Sequence, residues 1–236
     1  MNVMLSLAAI VMITTASIYI VLTQSKSALD SASVLGDIDQ SESFLMLLDN
    51  QISEVEKEGA GSSRLFPFSV KDSYEVLDEE DSVIYEKTAA AEFVEYQSSV
   101  ISDNLVFVSG SQVDCYEKDE TGDGSSELVM ENPFIKAVFR KTARASPLPA
   151  IRTNETFISL KEKSGGSVLN FTNSTIMIDG NLTSSSGTGY TEILRTGSDK
   201  PFCIVHMLVN STPTYDVFYT LYSSSDFIVA DVRNIR

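Results

Sequence analysis

Charged residues are missing from the first 24 positions of this 236-residue chain, and the first one is Lys26. A membrane-spanning helix needs about 20 consecutive apolar residues, so this stretch is long enough to span a bilayer. It also lacks the basic start of a secretory signal peptide, and its apolar run is too long for one. We therefore expect either a processed chain that begins at Met1 or an uncleaved membrane anchor.

Helix-breaking residues are nearly absent from the stretch that follows. After Gln24 no proline occurs before Pro67, and only Gly36 precedes Gly59. Between residues 29 and 55, apolar side chains recur at gaps of three and four, which indicates one face of a helix. We predict a continuous helix over residues 1–58, about 85 Å long at 1.5 Å per residue. It should be apolar over 1–24 and amphipathic over 25–58.

Motifs for catalysis or metal binding are scarce. His206 is the only histidine, and its position in the apolar run CIVHMLV is typical of a packed side chain. The sequence has no P-loop, HExxH, GxSxG or dinucleotide-binding fingerprint. Residues 119–124 match the first positions of a calcium loop, but Met130 occupies the twelfth position, which favours an acidic hairpin turn. We expect no enzymatic activity, cofactor or metal.

Basic residues are outnumbered by acidic ones. The chain has 17 Lys and Arg against 33 Asp and Glu, a net charge of −16. Nucleic-acid binding depends on contacts from Lys and Arg to phosphate, so we expect no nucleic-acid partner. The charge instead suits a solvated surface on which self-repulsion limits non-specific association.

Cysteine is also rare, with only Cys115 and Cys203. Neither has a neighbouring His or Cys, so they do not form a metal-binding motif. In an exported chain we expect a disulfide between them. In a reducing compartment they would be two buried thiols.

N-glycosylation sequons are concentrated in the C-terminal third. Five of them fall in fewer than 60 residues, and none has proline at the middle position. This density favours an exported, glycosylated surface. The acceptor asparagines are Asn154, Asn170, Asn173, Asn181 and Asn210.

Short β-type runs replace the helical periodicity after a glycine-rich stop at residues 59–63. Their number and spacing are typical of an antiparallel sandwich or two small sheets. We predict an α+β fold, with the long hydrophobic helix followed by an antiparallel β-sandwich-like domain over 64–236. Residues 143–150 and 184–189 are predicted loops. The predicted strands are 65–70, 74–77, 82–85, 104–108, 112–116, 127–130, 134–139, 156–160, 168–171, 175–178, 190–194, 203–209, 215–222 and 227–232.

The chain resembles the archaeal type IV pilin-like proteins, which belong to the type IV filament superfamily, carry class III signal peptides and include archaellins. The resemblance rests on the uncharged MNVMLSLAAIVMITTASIYIVL, its continuation to EVEKEGAGSSR, and the sequon-bearing β domain. The stretches ISEVEKEGAGSSRLFPFSV, YEVLDEEDSVIYE, GTGYTEIL and DFIVADV add to it.

The start of the chain differs from two related groups of filament proteins. Bacterial pilins favour Phe at the first mature position and Glu at the fifth, where this chain has Met1 and Leu5. The start also lacks the glycine-rich opening common in archaellins, which favours an adhesion pilus over a swimming filament. An archaellin, or a single-pass membrane-anchored glycosylated surface protein that does not polymerise, remains an alternative.

The resemblance implies a precursor cut by a prepilin-type peptidase and assembled by a membrane machine into an extracellular polymer of identical subunits. Residues 1–24 would insert in the membrane transiently before assembly. Helix 1–58 would form the filament core and the β domain its outer surface. The residues expected to pack in that core are Leu5, Ala9, Ile13, Ala16, Ile20, Leu35, Leu45, Leu48 and Ile52.

Overall fold

The architecture is α+β, as predicted, with one long N-terminal helix followed by mostly antiparallel sheets. A computed structural model describes residues 2–66, 74–77, 82–87, 98–102, 105–171 and 174–236; the side chains of 2–11, 27, 31 and 98–102 are not described. The chain divides into two units, residues 1–93 and 94–236.

The helix α1 runs from Asn2 to Glu58 and is 57 residues long. It ends at Gly59, whose φ of 88° is a left-handed conformation that glycine adopts without strain. The amide of Gly59 donates to the carbonyl of Glu56 at 3.1 Å, which closes the last turn. The predicted helix is therefore confirmed from residue 2 to its C-terminal end.

A short hairpin completes the 1–93 unit. It pairs β1 (Tyr74–Leu77) with β2 (Ser82–Tyr85) in antiparallel register. The ring of Phe44 on α1 meets the ring of Tyr74 edge-on at 4.9 Å, and Lys87 Nζ lies 3.0 Å from Asp37 Oδ2. These contacts group the hairpin with the helix, whereas the predicted domain boundary placed it in the 64–236 domain.

The 94–236 unit contains two larger sheets and a small hairpin among its described residues. The hairpin pairs β3 (Ser98–Ser102) with β4 (Leu105–Val108). One sheet has the order β10-β9-β7-β6-β5-β12, and the other has the order β15-β14-β13-β11-β8. Their strands are β5 (Val113–Lys118), β6 (Glu127–Glu131), β7 (Ile135–Arg140), β8 (Ala150–Arg152), β9 (Phe157–Glu162), β10 (Val168–Asn170), β11 (Ser186–Ile193), β12 (Gly197–Lys200), β13 (Phe202–Asn210), β14 (Tyr215–Tyr222) and β15 (Val229–Arg233).

Both sheets contribute side chains to one buried cluster. Alternate residues of a strand point to opposite faces, so every second residue of β13 between positions 203 and 209 enters the cluster. The Phe139 ring stacks on Phe157 of its own sheet at 4.5 Å and meets Tyr219 of the other sheet at 4.9 Å between centroids. A short helix α2 (Thr153–Thr156) and a 3-10 turn (Leu182–Ser185) lie between strands.

Most predicted strands coincide with observed ones to within a few residues, but two predictions were wrong. Residues 175–178 do not form a strand, because the amides of Ile176 and Ile178 bind the side-chain oxygens of Thr153 and Ser184. The predicted loop 184–189 instead ends the 3-10 turn and begins β11. Strands β3, β8 and β12 were not predicted, and much of the predicted strand 65–70 lies outside the described residues.

Gly189 explains why a Ser/Gly-rich stretch forms a strand. A Cβ at this position would overlap the carbonyl oxygen of Leu208 and lie 3.1 Å from Ile151 Cγ2. Glycine therefore permits the close approach of β13 and β8 on the two sides of β11.

We predict that Gly189→Ala destabilises the 94–236 unit by about 1–3 kcal/mol, because the added methyl forces the backbone apart. Urea unfolding followed by circular dichroism in the β-sheet region measures this. The matched control is Gly36→Ala on α1, where a Cβ meets nothing within 4 Å and helix propensity rises by about 0.5–1 kcal/mol. An unchanged midpoint for Gly189→Ala would contradict the close approach.

Cys115 on β5 and Cys203 on β13 form a disulfide with 6.1 Å between their Cα atoms. Both residues are buried in the shared core. The bridge therefore ties one sheet to the other across 88 residues of sequence.

Replacing both cysteines with alanine should lower the free energy of unfolding by about 2–5 kcal/mol, since the bridge restricts the unfolded chain. Chemical unfolding of the two proteins gives the difference. Non-reducing mass spectrometry of the protein taken from cells should recover the linked Cys115 and Cys203 peptides. Free thiols at both positions would refute the bridge and weaken the expectation of export.

Candidate functional site

One side of α1 is partly buried within the single chain. Half-buried or buried positions recur every seven residues at Val34, Ser41, Leu48 and Val55, a spacing that keeps side chains on one side of a helix. Leu45 is half-buried on the same side. Of the predicted packing residues, Leu45 and Leu48 therefore lie on a side that is already partly covered in the single chain.

Other predicted packing residues of α1 are exposed. The exposed fraction is 66% for Ile13, 53% for Ile20, 47% for Leu35 and 57% for Ile52. Ala16 is exposed as well. Leu5 and Ala9 lie on α1, before the first described side chain.

Two further exposed apolar residues belong to the periodic stretch 29–55 but were not among the predicted packing residues. Leu29 is 69% exposed and Leu47 is 54% exposed. They are 18 residues apart, which corresponds to five helical turns, so they lie on the same side of α1. The periodicity between residues 29 and 55 had placed them on one face with Leu45 and Leu48, but helix geometry puts them on a different side. We name the exposed set Ile13, Ile20, Leu29, Leu35, Leu47 and Ile52 the apolar helix surface.

The first charge on α1 is Lys26, and every other charged residue of the helix follows it. Arg64 forms ion pairs with Glu54 and Glu58 near the end of the helix. The hydrogen bond with Glu58 is the main cause that raises the pKa of Arg64. These pairs anchor the chain that leaves the helix, and they leave the uncharged N-terminal part of the apolar helix surface unaffected.

Within the part of α1 whose side chains are described, no helical segment is long and apolar enough to span a membrane.

His206 is buried on the face of the β11–β13–β14 sheet opposite the shared core. Its Nδ1 lies 3.3 Å from Glu192 Oε1, and its Nε2 lies 2.9 Å from Asp216 Oδ1. Its ring stacks on Phe218 with 4.8 Å between centroids, and Asn234 donates to the other oxygen of Asp216 at 3.0 Å. Both ring nitrogens are thus occupied, which confirms the predicted packed histidine and leaves neither nitrogen available to bind a metal.

We predict that His206→Phe lowers the free energy of unfolding by about 1–3 kcal/mol, because it removes one of the two hydrogen-bond partners of the buried Asp216 carboxylate while keeping the aromatic packing. The matched control is Asp231→Asn on β15, where a half-exposed carboxylate pairs with Arg233, and it should change stability by at most about 1 kcal/mol. Equal stabilities for wild type and His206→Phe would show that the two contacts contribute nothing.

The loop between β5 and β6 brings three carboxylates together. Ligand oxygens of Asp119, Asp123 and Glu127 lie within 4.8 Å of one another. Each carboxylate already accepts bonds from its own loop, such as 2.6 Å from Gly122 N to Asp119 and 2.8 Å from Ser125 N to Asp123. The backbone bond from Ser125 is the main cause that lowers the pKa of Asp123. This arrangement matches the predicted acidic hairpin turn.

Four of the five predicted acceptor asparagines lie in the described residues. Asn170, Asn181 and Asn210 are exposed, whereas Asn154 on α2 is half-buried. Asn173 lies outside the described residues. The acceptors therefore differ in accessibility, although their sequence motifs are equivalent.

No family model, curated protein or solved structure matches the chain. Its function must therefore be inferred from its own residues.

Proposed function

We propose that this chain is a pilin, the structural subunit of an extracellular, helical type IV-like filament that serves as an archaeal adhesion pilus. The observation that carries the proposal is the apolar helix surface on an unbroken helix of 57 residues. In the filament, copies of α1 cover this surface for one another and form the core. The protein has no enzymatic activity.

The energetic support comes from the size of the exposed side chains. Complete burial of a Leu or Ile side chain stabilises by about 1.5–3 kcal/mol relative to exposure in water. The six residues of the apolar helix surface are all at least 47% exposed. These side chains are distributed around the helix over many turns, so a single small partner would not cover them all. Packing against identical helices would remove this surface from water.

The 94–236 unit forms the outer surface of the filament in this proposal. Its two sheets pack face to face as an antiparallel β-sandwich, and support comes from the single buried cluster to which both sheets contribute. An acidic, solvated exterior suits the net charge of −16. The exposed sequons suit an extracellular location.

Assembly in this proposal follows the type IV pathway. A prepilin-type peptidase cuts the precursor, residues 1–24 insert transiently in the membrane, and a membrane machine adds the subunit to the filament. Support comes from the absence of charge before Lys26. The same absence also favours a single-pass anchored surface protein that does not polymerise, so the test must separate the two.

We predict that Leu47→Lys prevents filament formation, because it places a charge where neighbouring helices pack without water. Leu47 lies well beyond residues 1–24, so this variant tests assembly and not membrane insertion. The matched control is Asn50→Lys, an exposed polar position on the same helix that receives the same charge. Electron microscopy and sedimentation of surface appendages measure the result.

Filaments of normal length from Leu47→Lys would contradict the buried helical core. If neither wild type nor variant forms filaments and all remain in the membrane fraction, the anchored surface protein is the correct alternative. Ile13→Asp is the companion variant within residues 1–24, and it should abolish filaments while the 94–236 unit still folds.

A further inference from the structure

Two of the exposed acceptor asparagines lie on segments that touch. The 3-10 turn that follows Asn181 is held to it by a bond from Ser184 N to the Asn181 carbonyl at 3.2 Å. Ser211, the neighbour of Asn210, donates its hydroxyl to the carbonyl of Ser184 at 3.4 Å. Asn181 and Asn210 are therefore placed together, although 29 positions separate them in the sequence.

The other described acceptors join the same end of the 94–236 unit. Thr153, the neighbour of Asn154, donates to the carbonyl of Ser185 at 3.3 Å. Phe171, the neighbour of Asn170, stacks on Phe157 at 4.3 Å, and Phe157 directly follows α2. We name this region, defined by Asn154, Asn170, Asn181 and Asn210, the sequon end.

The side-chain amides of Asn181 and Asn210 are oriented through their oxygens. Asn181 Oδ1 accepts from the backbone amide of Thr183 at 3.0 Å and from its hydroxyl at 2.9 Å. Asn210 Oδ1 accepts from the hydroxyl of Thr214 at 3.0 Å. Within the part of the chain that the structure describes, neither Nδ2 atom donates a hydrogen bond. Both asparagines are also exposed residues.

Asn154 differs from these residues in its sequon hydroxyl. Thr156, the threonine of this sequon, is only 2% exposed. Its hydroxyl donates to the carbonyl of Arg152 at 3.0 Å, which closes the single turn of α2. By contrast, Thr183 and Thr212, the threonines of the Asn181 and Asn210 sequons, are exposed.

We propose that N-linked glycans occupy Asn170, Asn181 and Asn210, so that the sequon end is a sugar-covered surface, and that Asn154 is not an acceptor. The sugar comes from a lipid-linked oligosaccharide phosphate. Its C1–O bond to the phosphate breaks, a bond forms between C1 and Asn Nδ2, and one Nδ2 proton is lost to a base of the transferase. The lipid phosphate leaves with the electron pair, and nothing is oxidised or reduced.

The glycan at Asn170 has a further role at this end. Asn170 terminates β10, an edge strand of the six-stranded sheet, and the adjacent Val168 and Leu169 are 51% and 59% exposed. An exposed apolar edge strand invites pairing with another chain. A bulky sugar beside it would block that pairing.

This inference rests on the export assumed in the proposed function, but not on polymerisation. The experiment is glycopeptide mass spectrometry of the protein taken from the surface of its source cells. We expect sugar mass on the peptides that contain Asn170, Asn181 and Asn210, and unmodified peptide at Asn154. Sugar on Asn154, or bare asparagines at 181 and 210 in exported protein, would overturn the inference.

Matched replacements test the same assignment on intact protein. Asn181→Gln and Asn210→Gln should each lower the intact mass by one glycan, whereas Asn154→Gln should leave the glycan mass unchanged. Filaments built from unglycosylated subunits would overturn this inference and leave the proposed function standing. Glycosylated protein that never forms filaments would overturn the proposed function and leave this inference standing. Protein confined to the cytoplasm would overturn both.

Discussion

Burial of apolar surface is the constraint on which the organisation of this chain depends. The 94–236 unit meets that constraint by itself, because both of its sheets contribute to one core closed by stacked rings at Phe139, Phe157 and Tyr219. Helix α1 does not. The side that carries Ser41 and Leu48 is partly buried in the single chain, while Leu29 and Leu47 are exposed on another side. A helix with apolar residues on more than one side has more surface to bury than one short hairpin can cover. In the proposed filament, further copies of the chain would cover the apolar side chains of the helix that are exposed in one copy.

Local signals carried much of the fold. The uninterrupted helix was predicted to within a residue, because residues 1–58 contain no proline and only one glycine, Gly36. Strands such as Tyr215–Tyr222 were predicted because alternation marks a face that packs on a core. The failures share a different cause. Residues 175–178 have strand-like composition, but the amides of Ile176 and Ile178 bind the hydroxyls of Thr153 and Ser184. The periodicity of apolar residues carries no information about such side-chain hydrogen bonds. Gly189 was predicted to lie in a loop, because the sequence alone does not show that the backbone of Leu208 packs too closely there for a side chain.

The candidate surfaces were predictable in type but not in arrangement. The periodic pattern between residues 29 and 55 led to Leu45 and Leu48, which are half-buried in the single chain. The same pattern includes Leu29 and Leu47, but it could not show that they lie on a side of the helix that stays exposed. The sequon motif likewise identified the acceptor asparagines equally well. It could not rank them, because the burial of Thr156 depends on a turn that the sequence pattern had assigned to the start of a strand.

The two kinds of surface are separated along the chain. All five sequons follow residue 153, and none occurs in residues 1–93, where the apolar helix surface lies. A branched, hydrated sugar cannot be buried between closely packed helices, because its hydroxyls would lose their hydrogen bonds to water. In the proposed filament a glycan on α1 would therefore oppose assembly, whereas the proposed glycan at the sequon end would protect an exposed strand edge. The two proposals thus assign association to one unit and resistance to association to the other. A filament subunit would need both properties.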